Sequence, residues 1–191
     1  MLSLFGILMT AIFGVFKMGT IAWHKASVKN ELLQQTQLVN FRLARELELS
    51  ALESLSVDKT LGVVAFLSPL DGDQNFVVSP KGRPEFQKYV VYYRRSVDET
   101  IYRRELPLIP SAPVRNVPRP IEEYNSGPGK RPLSYYATGG HPVAKFIKHF
   151  KPDIFPDPVA QLRWEVTAER KRYGTDRPES VTTVSASLLR N

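Results

Sequence analysis

MLSLFGILMTAIFGVFKMGTIAW, residues 1–23, runs without a break into HKASVKNELLQQTQLVNFRLARELELSALESL, residues 24–55, and the reading of that join decides the fold. The first stretch is apolar or small apart from Lys17. As a helix it would extend about 34 Å, against a hydrocarbon core of about 30 Å. Lys17 has a stem that can snorkel towards an interface, and Trp23 with His24 suits the interfacial zone. A cleaved signal peptide fits less well. No basic residues precede the apolar run, and no small-x-small site closes it before the charges begin.

The second stretch keeps helical spacing. Leu32, Val39, Leu43, Leu47 and Ala51 fall on one stripe, the pattern of a helix packed on its own domain's core. No proline occurs before Pro69 and no glycine between Gly19 and Gly62. The spacing therefore predicts one helix from residue 2 to about residue 55, apolar in 1–23 and amphipathic in 24–56. Arg42 before Glu46, and Arg45 before Glu48, read as surface pairs.

Beyond residue 57 the period becomes strand-like. Leu61–Leu67, Asn75–Val78, Lys88–Arg94, Thr100–Leu106, Val143–Phe150, Val159–Glu169 and Ser180–Leu189 are candidate strands. Asp98-Glu99 turns a hairpin, and Asp71-Gly72-Asp73 and Lys171–Pro178 read as turns. Prolines at 107, 110, 113, 118, 120, 128 and 132 argue against helix or central strand there. Residues 107–140 are expected to form a long surface loop inserted in a globular head spanning 57–191. The fold class is α+β: a long N-terminal helix on an antiparallel sheet.

Composition narrows the chemistry. The 191 residues carry a formal net charge of +7 and no cysteine, which excludes a disulfide framework, a thiolate metal site and a cysteine nucleophile. The histidines His24, His141 and His149 are scattered. No phosphate-binding glycine loop, His-x-x-x-His or Gly-x-Ser-x-Gly occurs, so neither an enzyme nor a cofactor or metal site is expected. His141, after Gly139-Gly140, has a turn context. Arg94, Arg95, Arg103 and Arg104, among Tyr92, Tyr93 and other tyrosines, compose a basic and aromatic hairpin. Such a surface can hold single-stranded nucleic acid. The blander reading, a solvated sheet face with its tyrosines turned inward, is the preferred one.

The layout resembles the type IV pilin-like proteins, and within them the minor pilins and minor pseudopilins of the J and W types. The resemblance rests on the apolar run fused to an amphipathic helix and on Glu31-Leu32-Leu33-Gln34-Gln35 followed by Phe41-Arg42-Leu43-Ala44-Arg45-Glu46-Leu47. It rests also on the pair Val90-Val91-Tyr92-Tyr93-Arg94 and Ile101-Tyr102-Arg103-Arg104-Glu105-Leu106, and on the terminal Leu188-Leu189-Arg190-Asn191. It covers most of the chain outside 107–140.

The resemblance implies a membrane-stored filament subunit of a type IV pilus or type II secretion pseudopilus. Such a subunit is single-pass in the bacterial inner membrane with its head outside, and partners other pilin subunits, an assembly platform and lipid. Leu2, Leu4, Phe5, Ile7, Leu8, Ile12, Phe13, Val15 and Phe16 would form the membrane and filament-core half. Val39, Leu43 and Leu47 would pack on the sheet. A DNA-uptake pilin, or a tethered extracytoplasmic domain unrelated to filaments, is the alternative.

Two departures stand out. Met1 and Leu2 align with the family's processing site, but no glycine precedes the cut and no basic leader is written. Gly6 falls where the family carries glutamate, a lean towards a tip or initiation role. The flanking Lys17, Lys25 and Lys29, taken alone, would place the head in the cytoplasm. A basic leader upstream of Met1 would reverse that orientation.

Overall fold

Helix α1 runs unbroken from Leu2 to Leu47 in a computed structural model of the chain, which describes residues 2–109, 112–124, 131–155, 161–171 and 177–188. Its 46 residues rise about 69 Å at about 1.5 Å per residue. The helix stops at Leu47, short of the expected end near residue 55. The backbone N–H groups of Leu49 and Ser50 switch to carbonyls three residues back, and the buried Ser50 hydroxyl donates to the Leu47 carbonyl at 2.9 Å. A serine that bonds the local backbone competes with the next helical turn. Ala51 is then extended, with φ −97° and ψ 140°, and only a short 3-10 turn, Leu52–Ser54, follows.

The head holds two antiparallel sheets where one was expected. The first has the order β1 (Ser56–Asp58), β2 (Val63–Ser68), β3 (Lys88–Arg95), β4 (Thr100–Pro107), β5 (His141–Ala144). The second has the order β6 (Ile147–Phe155), β7 (Gln161–Lys171), β8 (Pro178–Leu188). Both are meanders. The predicted run Val143–Phe150 is divided between them, because Phe146 turns the chain at φ 63°. His141 opens β5 and does not sit in a turn. Asn75–Val78 contributes isolated bridges only, Leu70 to Phe76 and Val78 to Pro84. The Asp71 turn forms as read, its carboxylate accepting from the Asp73 and Asn75 backbones at 2.9 and 2.8 Å. Most of the Lys171–Pro178 turn, and Leu189 to Asn191, lie outside the described residues.

The main core lies where α1 meets the sheets. Leu32, Val39, Leu43 and Leu47 are fully buried there against Val64, Phe66, Val90, Tyr92, Leu162, Trp164 and Val166. Each such side chain stabilises the fold by about 1.5–3 kcal/mol relative to exposure. Ala51, the last member of the predicted stripe, lies past the helix and packs beside the second core.

That second core corrects the expectation of a surface loop at 107–140. The opposite faces of β2 and β3 bury Ala65, Leu67, Tyr89, Val91 and Tyr93 beneath Val114, Ile121, Leu133 and Tyr136 of the insertion. The prolines start turns in this segment. Pro113 opens a 3-10 turn, Pro120 precedes helix α2 (Ile121–Tyr124), and Pro132 caps α3 (Leu133–Tyr136). Proline at a helix's first positions loses no hydrogen bond, because the N–H it lacks would be unpaired there. The whole is an α+β, pilin-like architecture, with a long apolar-headed helix laid on antiparallel sheets.

Gly62 fixes where the sheets approach. Its φ is +64°, and a Cβ there would lie 2.6 Å from the Phe150 carbonyl oxygen of β6. Gly62→Ala should therefore lose more than the roughly 1–2 kcal/mol of left-handed backbone strain alone. Urea unfolding of the full chain in detergent, followed by tryptophan fluorescence, checks this; a midpoint unchanged from the native chain contradicts it.

Candidate functional site

The surface that stands out is α1 before it reaches the head. Residues 3–27 are exposed on every side of the helix. Leu4, Phe5, Ile7, Leu8, Ile12, Phe13, Val15 and Phe16 all point into open space, Phe13 with 70% of its surface uncovered. Leu2 opens the helix; Met1, its partner at the degenerate processing site, lies outside the described residues. A helix apolar all round has no stable place in water alone. This one is long and apolar enough to cross a membrane, a test a signal sequence also passes.

Two of its hydroxyls are satisfied within the helix itself. The Thr10 and Thr20 hydroxyls donate to the Gly6 and Phe16 carbonyls four residues back, each at 2.9 Å. In hydrocarbon a hydroxyl finds no water, so a partner within its own helix is needed. Gly6, Gly14 and Gly19 have nothing within 4 Å of a notional Cβ. Among the described residues no contact calls for a glycine at these positions. Trp23 and His24 meet edge to face at 5.5 Å at the end of the apolar stretch.

Below this stretch the same helix is held to the head by polar clamps. Asn40 accepts from Trp164 Nε1 at 2.8 Å and donates to Thr183 Oγ1 at 3.0 Å, joining α1 to β7 and β8. The Gln35 side-chain carbonyl accepts from the Lys145 backbone N–H at 2.9 Å, satisfying the chain where it crosses between sheets. Arg170 pairs with Glu31. Val39, Leu43 and Leu47 are buried against the sheets.

The strongest clamp joins the two sequence elements that carry the pilin resemblance. Arg103 Nε donates to both Glu46 oxygens, at 2.9 and 3.1 Å, and its Nη1 donates to Glu105 at 2.6 Å. Lys88 Nζ, its side chain only 6% exposed, lies 3.1 Å from Glu105. Two carboxylates and two cations thus close a balanced chain between α1, β3 and β4. The Tyr92 hydroxyl is buried beside this pair without a hydrogen bond of good geometry, and burial raises its pKa. Glu46 is therefore not engaged with Arg42 as its spacing predicted, and Arg42 and Arg45 form no ion pair among the described residues.

The basic hairpin comes together as a hairpin, but its side chains are engaged within the head. Tyr92 faces the helix-side core and Tyr93 the insertion-side core. Tyr93 stacks on Tyr102 at 5.7 Å, and Arg95 lies 4.2 Å above the Tyr102 ring and pairs with Asp98. Arg94 donates to the Ile147 carbonyl at 2.8 Å, and Arg104 to Thr138 at 2.9 Å. Tyr92 and Tyr93 therefore offer no stacking platform. No group of three metal-ligating side chains occurs among the described residues.

Sequence reasoning missed Asn40, Gln35 and the Glu46 clamp. The available signal was polar residues beside the apolar stripe of a helix, where a bare surface would tolerate anything. No family model, curated protein or solved structure matches this chain. Its likeness to pilins is one of architecture.

Glu46 gives a pH signature. Burial lifts its carboxyl above the ordinary range, outweighing the lowering pull of Arg103. A carboxyl raised in the folded chain contributes stability that is complete below its unfolded value and is lost as pH rises through the folded value. Glu46→Gln has no such loss. The unfolding midpoint of the variant, measured relative to the native chain, should rise between about pH 4 and about pH 7. Thermal scans in one detergent at both pH values check it; a constant offset contradicts it.

Proposed function

We propose that the chain is a non-enzymatic minor subunit of a type IV pilus or type II secretion pseudopilus. It is stored in the bacterial inner membrane by residues 1–23 with its head outside the cytoplasm. The observation that carries this reading is the single helix, uncovered over residues 3–27 and buried along one stripe from Leu32 onward. A membrane span and a head support are made from one rigid element, so the apolar half can exchange lipid for other subunits' helices while the head stays folded. Its partners are other pilin or pseudopilin subunits and an inner-membrane assembly platform. The burial of Tyr92 and Tyr93 in the two cores supports leaving nucleic acid out of this set.

The absence of native cysteine makes single-cysteine mapping direct. Val97, 94% exposed at the hairpin turn, and Phe13 are the reporter positions. In intact spheroplasts a membrane-impermeant maleimide should label Val97→Cys at once and Phe13→Cys only after detergent. Equal labelling of both would remove the membrane assignment. With the assembly machinery present, Phe13→Cys should form disulfides with cysteines placed in the apolar helices of the major subunit. Failure there, with membrane protection intact, would leave only a tethered head domain.

Gly14→Leu or Gly19→Leu should lower incorporation several-fold, because helices in lipid associate through close packing of small residues. Neither added side chain meets anything in the chain itself, so the head's unfolding midpoint should stay native. Normal co-purification with partner subunits would count against the packing role.

A further inference from the structure

A rod bare on all sides has no preferred partner face unless something on its surface selects one. Lys17 is the only charged side chain between Met1 and Trp23. It has no ion pair or hydrogen bond among the described residues. Nearby Thr10 and Thr20 are satisfied within the helix, as described above. Lys17 borders a shallow concavity with Thr10, Phe13, Gly14 and Ile21. Steps of four, three and four residues put Thr10, Gly14, Lys17 and Ile21 on one helix face. The space over Gly14 is open.

Depth decides what this cation needs. Lys17 lies six residues, about 9 Å, short of Trp23. In lipid its stem can carry the ammonium to the Trp23 side. When another helix covers this face, that route closes and the ammonium requires a counter-charge at its own depth. A second copy cannot supply one. Its first carboxylate is Glu31, fourteen residues or about 21 Å further along. Two copies sharing one membrane orientation set Lys17 against Lys17.

We propose that the Thr10, Gly14, Lys17 and Ile21 face docks the membrane-spanning helix of a different chain bearing an Asp or Glu at the depth of Lys17, and that Lys17 makes the assembly heteromeric. This assignment rests on the membrane reading proposed above.

The test uses two differently tagged full-length chains co-expressed in a bacterial host, the second carrying Lys17→Glu as a defined acidic probe. Both carry Ile21→Cys as a reporter on the proposed face, or Ile12→Cys as a control on the far side. Mild oxidation of isolated membranes should give at least fivefold more mixed disulfide for the native and Lys17→Glu pair than for two native chains. Replacing Lys17 by Met in the first chain should remove that gain, and Lys17→Arg should keep it. The gain should be confined to the Ile21→Cys reporter. Equal cross-linking of like and opposite charges, or an equal gain at Ile12→Cys, overturns the assignment. Absence of cross-links with both chains retained in carbonate-washed membranes overturns it too, leaving the membrane reading intact. Loss of both chains from washed membranes would instead overturn the membrane reading itself.

Discussion

One constraint organises the molecule: a single helix carries both an uncovered apolar half and a half sealed into the head. Its surface is uncovered up to residue 27 and, apart from Lys17, apolar or small up to Trp23; from Leu32 to Leu47 one stripe is sealed beneath two sheets. The backbone hydrogen bonds of α1 are continuous across the change, so nothing hinges between the halves. The head must therefore supply every contact that fixes the rod's position. It does so with apolar burial along the stripe and with Asn40, Gln35 and Glu46 along its flanks.

The insertion shows how the sheet can be buried on both faces. β2 and β3 carry uninterrupted apolar runs, Val63 to Leu67 and Tyr89 to Tyr93, with alternate residues feeding the two cores. One face is covered by α1 together with the second sheet. The other is covered by the Pro-rich segment, whose prolines start short turns that present Val114, Ile121 and Leu133 to the sheet. The Glu46–Arg103–Glu105–Lys88 chain then links the helix to the middle of this sheet, at a place shielded enough to raise the Glu46 carboxyl.

What the sequence disclosed, and what it hid, follows from the range of the interactions. The apolar run, the stripe at Leu32, Val39, Leu43 and Leu47, and the hairpin around Asp98-Glu99 are periodic or local, and each formed as read. The helix end was hidden, because Ser50 takes the Leu47 carbonyl only in its buried setting. The split of Val143–Phe150 turned on Phe146, a residue type that gives no warning of positive φ. The buried insertion does leave a trace in the sequence. Strands lacking the alternation of one wet face, as in Lys88–Arg94, need cover on both sides. For the candidate site, the bare apolar helix was legible throughout, whereas the Glu46 partner was not. Arg42, one helical turn before it in sequence, is a local distraction from Arg103, 57 positions away.

The way α1 is fastened to the head also sets how the molecule bears tension. Its attachments run side by side along about 23 Å of helix, from Leu32 to Leu47. A force drawn through the apolar end and along the axis loads them in shear, so they yield together or hold together. A force across the axis would peel them one at a time, beginning at the outlying Glu31 and Lys25 pairs with Arg170 and Glu179. The attachment resists load along the axis better than load across it.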